Sequence, residues 1–297
     1  MIIQYKALGA KRFDFLDNGT QQTTLQSLGR GKGLCLSIGC LIYVMISIGI
    51  PMVSSLIMSF SSAISLTKFT FTLDNYRNIL SADSTLLVGI AHSLGLAVIA
   101  AGIGLLIAFC CAYVLTYAKT PLKKAIDMTT LVAMAVPGIV LGVGYIFVWN
   151  QKWLVPIGLH LYGTPAILVL AVVAAAIPLI NRILVAGMAK IPESLLVAAE
   201  MQGAGFFTKI KTILLPLLHN SSVSAVLSAF GGSIFNLAIT TILYPPNWET
   251  LPVWISDSYN DLKFGDAAAA TIVSGICIIT IMVLLERLLN MKRARKG

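Results

Sequence analysis

The hydroxyl-rich segment 219–243 is the part of the sequence that comes nearest to catalytic chemistry. Ser233 follows Gly231-Gly232, but Phe235 occupies the last position of a GxSxG nucleophile motif, and no histidine is spaced to activate the serine. The sequence has no HExxH motif, no paired acids within its apolar segments and no GxxxxGK[ST] phosphate-binding loop. We expect no catalytic residue, no metal site and no cofactor; an intramembrane hydrolase based on Ser233 remains the alternative from a different class.

The same segment carries a polar arc that suits a solute pathway. If the segment forms one helix, with about 100° between successive residues, the polar residues of the arc lie within roughly half of the helix circumference. Polar groups inside a membrane bundle tend to face protein or a water-filled cavity. Close helix packing through small residues explains the pattern nearly as well. The candidate pathway residues are Ser224, Ser228, Gly232, Asn236 and Thr240.

Composition indicates an integral membrane protein. Of the 297 residues, 57% are hydrophobic and 11% are charged, against roughly 25% charged residues in a soluble domain. Apolar blocks long enough to cross a bilayer recur along the chain. We predict an all-α membrane protein with a leader at 1–32, a six-span transmembrane domain at 33–285 and a basic tail at 286–297. The predicted spans are 33–60 (bent near Pro51), 86–116, 127–148 (kinked at Pro137-Gly138), 163–183, 219–243 and 266–285.

Charge predicts the orientation of these spans. Basic residues favour the cytoplasmic side of a membrane protein. Six spans place both termini on one side, and of the 21 lysine and arginine residues all but four fall on that side. The net charge of +9 therefore reflects topology rather than nucleic-acid binding. The four exceptions are Lys68, Arg77, Lys152 and Lys263.

A polar cytoplasmic stretch between the fourth and fifth spans, at about 187–217, is too polar to cross a bilayer. It favours a helix up to Gln202, a break at Gly203 and Gly205, and a second helix from Phe206 that ends before Pro216. Two short helices at an angle would present small and aromatic side chains to a partner. A pair of helices lying on the bilayer surface is the alternative.

The chain resembles the permeases of binding-protein-dependent ABC importers. Ala198-Ala199, Gly203-Ala204 and Leu215-Pro216 resemble their EAA loop, in its position before the penultimate span. The segments 71–77, 135–142 and 245–251 extend the resemblance, the last resembling the ferric iron branch, with polyamine, thiamine and phosphonate permeases as near relatives. Val197 and Gln202 depart from the motif, at positions where glutamate and aspartate are usual.

The resemblance implies a type I, MetI-like fold and a transport subunit without its own ATP site. It implies coupling to ATP-binding subunits through Ala198, Ala199, Glu200, Gly203, Ala204, Phe206, Phe207 and Pro216. The implied partners are two ATP-binding subunits, a second permease half (the same or another chain) and an external solute-binding protein, in a bacterial inner membrane. Ferric iron is the expected solute, with polyamine, thiamine or phosphonate as alternatives. A passive channel would instead move solute without nucleotide.

Overall fold

The computed structural model describes residues 30–62, 70–81 and 84–294, so most of the predicted leader 1–32 lies outside the described residues. The chain divides into two units, residues 1–52 and 53–297. In the described part, secondary structure is helical apart from one isolated antiparallel bridge between Ser61 and Phe71. The helices, in chain order, are α1 (Gly31–Ser59), α2 (Asp74–Ile79), α3 (Leu86–Tyr117), α4 (Leu122–Ala135), α5 (Gly138–Trp149), α6 (Pro165–Met188), α7 (Glu193–Met201), α8 (Phe206–Leu217), α9 (His219–Ile234), α10 (Leu237–Leu243), α11 (Leu251–Asn260) and α12 (Phe264–Ala294).

Within the described residues, four helices are long and apolar enough to cross a membrane: α1, α3, α6 and α12. Two further pairs of helices are long and apolar enough only when both members of the pair are taken together across a short break. The described residues then contain up to six candidate spans, if each bent pair is one span. The α4–α5 pair is bent by 112° and the α8–α9 pair by 74°. The predicted boundaries of the second span agree closely with α3, whereas α6 extends five residues beyond the predicted end of the fourth span, to Met188.

The prediction of one kinked helix at 127–148 is wrong. Val136 and Pro137 are extended, with ψ of 121° and 140°, and they separate α4 from α5. The ring of Pro137 disfavours the helical conformation at the preceding residue, so the helix ends before it. The 112° turn is far larger than a proline kink within a continuous helix.

The prediction of a single helix at 219–243 is also wrong. The helix stops at Ile234, and Asn236 begins a second one by accepting a hydrogen bond from the Ile239 amide at 3.1 Å. A side-chain oxygen at this position satisfies an amide that has no partner within the helix. α10 then runs from Leu237 to Leu243.

Helices α3, α6 and α9 form the centre of the larger unit. The buried face of α3 consists mainly of small residues, five of them alanines, and Gly104 faces α6. A β-carbon on Gly104 would lie 2.8 Å from Cδ1 of Ile180, so a larger residue there would force the end of that side chain to move. Small side chains therefore set the helix spacing here, as is common in membrane bundles.

Three prolines, Pro51, Pro178 and Pro216, lie inside helices that continue past them. A π-helical turn precedes two of them: Met45–Gly49 before Pro51, and Ile210–Leu214 before Pro216. A proline in a helix lacks an amide donor and clashes with the carbonyl four residues earlier. The wider turn changes the hydrogen-bonding register at that carbonyl. The predicted helix end before Pro216 is therefore wrong, since α8 continues to Leu217.

The segment 71–77 forms a structural joint at one end of the larger unit. The Asn75 amide donates to the carbonyl oxygens of Ser59 and Ser61 at 2.9 and 3.0 Å, and it lies against Gly265 at the start of α12. A β-carbon on Gly265 would come within 2.5 Å of that amide nitrogen. Asn75 thus joins three segments of the chain, and its neighbour Tyr76 bonds the Ser59 hydroxyl at 2.8 Å.

Candidate coupling surface and solute pathway

The corner between α7 and α8 is closed by a glycine in the left-handed conformation. Gly203 has φ of +83°, and its amide donates to the Glu200 carbonyl at 2.8 Å. The next amide, of Ala204, donates to the Ala199 carbonyl at 3.0 Å. These two bonds are the Schellman arrangement that ends a helix at a glycine. The turn predicted at Gly203 is therefore present, and its backbone conformation accounts for the glycine.

Space does not explain Gly203, because a β-carbon there would meet no atom within 4 Å. Gly205, two residues later, is equally open but has φ of −70°, which any residue can adopt. The two glycines therefore differ in the sign of φ, and only the positive φ of Gly203 requires glycine. This makes them a matched pair for testing the turn.

An ion pair spans the corner from α7 to α8. The Lys209 ammonium lies 2.9 Å from a carboxylate oxygen of Glu200. The hydrogen bond from Lys209, together with its charge, lowers the pKa of the Glu200 carboxyl below its ordinary value of 4.5. Glu200 is thereby paired within the corner itself, and its charge is already compensated before any partner arrives.

The two adjacent phenylalanines have different roles. Phe206 packs edge-to-face on Tyr113 of α3, with ring centroids 5.4 Å apart, and so anchors the corner to the bundle. Phe207 is 82% exposed. Met201 is 85% exposed at the end of α7, and Val197, one turn earlier, is about half exposed. The corner thus presents an apolar surface, defined here as the corner patch: Val197, Met201 and Phe207.

The other predicted coupling residues support this corner or lie beside it. Ala198 is exposed on α7, while Ala199 and Ala204 are half-buried and joined by the capping bond described above. Pro216 is exposed in the last turn of α8. The structure brings the predicted residues together on one corner, except that Pro216 lies at the far end of α8.

Tyr117 fixes the chain that leads into the corner. Its hydroxyl donates to the carbonyl oxygens of Met188 and Ile191, at 2.9 and 3.2 Å. These carbonyls lie at the end of α6 and in the link to α7, where a helix end leaves acceptors without helical partners. No local pattern in the sequence indicates this contact, since it joins residues more than 70 positions apart.

The predicted polar arc is divided by the break after Ile234. Ser224, Ser228 and Gly232 lie on one exposed face of α9. Asn236 is the cap of α10, and Thr240 is buried and donates back to the Asn236 carbonyl at 2.6 Å. The prediction that all five pathway residues lie on one face of a single helix is therefore wrong. Three residues share a face, and the other two belong to the next helix.

Ser233 has no catalytic surroundings. It is buried, and none of the three histidines hydrogen-bonds to it in the described part of the chain. His92 stacks on Trp248 at 4.1 Å and bonds the Glu249 carbonyl, His160 pairs with Asn150, and His219 bonds the Leu289 carbonyl. Each histidine thus has a structural contact. Nothing in this geometry favours a hydrolase.

A charged cluster between α4 and α6 was missed by sequence reasoning. The Arg182 guanidinium lies 2.8 Å from an Asp127 carboxylate oxygen and donates to the Thr130 hydroxyl at 3.1 Å. Arg182 lies within α6, inside the span predicted at 163–183. Its neighbour Asn181 is fully buried, with both amide atoms unpartnered among the described residues. The available signal was an arginine within a helix-length apolar run, which in a membrane protein is a candidate functional residue.

Comparison with known proteins gives a consistent result. Residues 100–295 match the family described as binding-protein-dependent transport system inner membrane component. A relative from Salmonella paratyphi A, described as a putative 2-aminoethylphosphonate transport system permease protein PhnV, is 30% identical over 168 residues. That match spans 56% of this chain and 61% of the relative, so the aligned part covers less than two thirds of it.

Two further matches extend the comparison. The ferric transport system permease protein FbpB of Actinobacillus pleuropneumoniae is 25% identical over 220 residues, which is 73% of this chain and 31% of that protein. A crystal structure of a bacterial ABC transporter involved in the import of alginate matches with a TM-score of 0.71 at 15% identity. The structural match covers 88% of this chain and 96% of the other. At this identity the structural match concerns the fold alone.

Proposed function

Because the chain belongs to the family of binding-protein-dependent transport system inner membrane components, we propose that it is the membrane-spanning permease subunit of an ATP-driven importer. In this proposal the chain forms part of the solute path and receives mechanical work from two ATP-binding subunits. A second permease half and an external solute-binding protein complete the assembly. The chain lies in a bacterial inner membrane with both termini in the cytoplasm.

The observation that carries the proposal is the corner patch, which lies on a corner whose backbone is held by several contacts. Exposed large apolar side chains form anchors that fill pockets on a partner. The patch stands on a backbone fixed by the Gly203 cap, the Glu200–Lys209 pair and the Phe206–Tyr113 contact. A rigid projection can transmit a displacement, whereas a flexible loop would absorb it.

The Val197 departure fits this surface. Val197 lies on the same face of α7 as Met201, one helical turn away, so the glutamate expected there is replaced by an apolar contact. The acidic residue nearby, Glu200, is already paired with Lys209. We therefore propose that docking at this corner depends mainly on apolar burial. Its affinity should then vary little with salt, because screening weakens exposed charge pairs but not apolar contacts.

For the solute, we propose ferric iron or a phosphonate, the substrates that appear in the descriptions of two relatives. The predicted pathway residues Ser224, Ser228, Gly232, Asn236 and Thr240 are neutral. They offer hydroxyl and amide groups without a charge that would favour one solute strongly. In such a system the external binding protein does most of the selection.

The proposal is tested by replacing the exposed anchor in the complex reconstituted with its ATP-binding subunits. Phe207→Ala removes an aromatic ring that is 82% exposed and packs edge-to-face on Phe206, so the fold should be retained. We expect the affinity for the ATP-binding subunit to fall at least tenfold, as for a typical interface hot spot of about 2 kcal/mol. ATP-driven uptake should fall with it.

The matched control is Phe147→Ala, which removes a 68% exposed phenylalanine from α5, away from the corner. It should leave both affinity and uptake near the wild-type values. Equal effects of the two variants would contradict docking at the corner. Solute flux in vesicles without ATP would instead indicate a passive channel.

A further inference from the structure

Asn181 is a polar side chain in the interior of the larger unit whose hydrogen bonds are not accounted for by the chain. It lies within α6 and is fully buried, and neither its amide oxygen nor its amide nitrogen bonds to another group in the described part of the chain. Rotating the amide by 180° exchanges the two atoms and leaves both unpartnered. Buried side-chain amides nearly always have partners, because an unmade hydrogen bond in the interior is costly. A partner for Asn181 is therefore expected.

The neighbouring residue, Arg182, has a further buried donor. Its Nη2 atom makes the contacts with Asp127 and Thr130, whereas its Nε atom is buried and bonds to no other group among the described residues. Successive residues leave a helix about 100° apart, so the side chains of Asn181 and Arg182 depart in neighbouring directions. The side chains of Arg182 and Asp127 are 31% and 23% exposed. The guanidinium group thus extends from a partly accessible edge to a buried one.

Pro178, less than one turn before Asn181, adds an acceptor. It lies inside α6 and has no amide hydrogen, so the carbonyl of Ala174 lacks its helical donor. Side chains in a helix tilt towards its N-terminus, and Ala174 lies about two turns before Asn181 on the same face. The Asn181 amide therefore points towards the turn that contains this carbonyl. In membrane helices, ordered water is one of the groups that bond to carbonyls released by proline.

The size and chemistry of this region select its ligand. Ile180 and Leu184, on either side of Asn181 in the sequence, are fully buried, so only a very small group fits. The unpartnered groups include donors, on Asn181 and Arg182, and acceptors, on Asn181 and Ala174. A metal ion would bind the acceptors only, and an anion the donors only. Water both donates and accepts, and a buried water typically makes about three hydrogen bonds to polar groups of this kind.

We propose that α6 holds one or two ordered water molecules at an internal water site, formed by the Asn181 amide, the Arg182 Nε–H group and the Ala174 carbonyl. Water reaches the site along the partly exposed Arg182–Asp127 pair. The site connects that charged pair to the proline turn of α6, and it gives each of the three residues the hydrogen bonds that the chain does not supply. The inference goes beyond the proposed importer function and does not depend on it.

Radiolytic hydroxyl labelling of the full chain in lipid nanodiscs tests the site, because radicals formed from a bound water modify the buried side chains beside it. Leu184 lies less than one turn after Asn181, whereas Leu168 is an equally buried leucine more than three turns away in the same helix. Mass spectrometry should show that Leu184 is modified about fivefold faster than Leu168. Equal rates at the two leucines would overturn the proposal, and this comparison requires no variant.

Two substitutions of Asn181 separate a bound water from a loosely packed interior. Asn181→Leu keeps the branched shape of the side chain without its polar atoms, and it should lower the modification of Leu184 to the rate at Leu168. Asn181→Ser keeps a polar group and leaves room for water, so the rate at Leu184 should stay within about twofold of wild type. The control is Ser274→Ala, since the fully buried Ser274 hydroxyl already bonds the Ala270 carbonyl at 2.6 Å; the rate should not change. Equal rates in the two Asn181 variants would contradict the proposal.

Thermal stability provides an independent measurement. If the Asn181 amide is hydrated, Asn181→Leu removes the water and leaves the Arg182 Nε–H group and the Ala174 carbonyl without a partner, so Tm should fall. If the amide is dry, leucine replaces a costly unpartnered group and Tm should rise, which would overturn the proposal. The importer function is measured separately, as ATP-driven uptake by the wild-type complex, and its failure would leave the labelling of Leu184 unchanged.

Discussion

Gly203→Ala is a perturbation whose effect can be worked out from one backbone angle. With φ of +83° and no atom within 4 Å of a β-carbon, alanine at this position introduces strain and no clash. The left-handed conformation costs an ordinary residue about 1 kcal/mol relative to glycine. Since 1.4 kcal/mol is a factor of ten in an equilibrium constant, the equilibrium constant between the formed corner and its open forms should fall about fivefold.

The assay compares the affinity of the ATP-binding subunit for the wild-type and variant chains, together with the ATP hydrolysed per solute transported. The strain should speed hydrogen exchange at the amides of residues 203 and 204 about fivefold, whereas it should weaken affinity less than this, because affinity follows the formed fraction and the formed corner predominates. Gly203→Asn should weaken it less, since asparagine tolerates the left-handed region better than alanine does. ATP use per solute should rise most in the alanine variant.

Gly205→Ala is the control, because this position is equally open but has φ of −70°. It should leave affinity unchanged or slightly improved, since alanine restricts the unfolded chain without strain in the folded one. The reasoning is refuted if Gly203→Ala leaves hydrogen exchange at the amides of residues 203 and 204 within twofold of the wild-type rate. It is also refuted if the two alanine variants have equal effects.

Two further predictions concern the contacts that hold the corner. Because Lys209 lowers the Glu200 pKa, the stabilisation by this pair is present above the ordinary carboxyl pKa of 4.5 and is lost as the pH falls through the lowered value. In a ¹³C NMR titration of the glutamate carboxyls, Lys209→Gln should return the Glu200 pKa to its ordinary range, whereas Lys211→Gln should leave it lowered. Tyr117→Phe removes the hydroxyl that bonds the Met188 and Ile191 carbonyls and should cost about 1 kcal/mol, measured as faster hydrogen exchange in the link from α6 to α7. Tyr113→Phe, which keeps its ring contact with Phe206, should leave that exchange unchanged.

The sequence predicted the features that local chemistry determines. Membership of the importer permease family, inferred from short motifs, is confirmed by the match over residues 100–295. The all-helical fold is confirmed for the described residues, and the glycine turn at Gly203 is present with the backbone angle that requires glycine. The six spans, the position of the termini and the roles of the coupling and pathway residues stay predictions.

The errors arose where tertiary structure determines the outcome. The 112° turn at Pro137 and the break before Asn236 lie in continuously apolar or small-residue sequence, where hydropathy alone suggests one helix. Helix α8 passes Pro216 because a π-helical turn accommodates the ring, a register change that composition does not reveal. The Arg182–Asp127 pair joins residues 55 positions apart, so no local pattern could have indicated it.

The packing below the corner explains how a push on the corner patch would reach the bundle. Phe207 lies in the first turn of α8, and the same helix buries Leu214 completely before the 74° bend at Leu218, which is also fully buried. Beyond the bend, Leu218 and Ser221 contact Gly187 of α6, where a β-carbon would lie 3.0 Å from Leu218 Cδ2 and 2.5 Å from Ser221 Oγ. Close-packed interiors transmit strain instead of absorbing it. We therefore expect a displacement of α8 to move α9 against α6; the exposed face of α9 carries Ser224, Ser228 and Gly232, the first three residues of the predicted pathway.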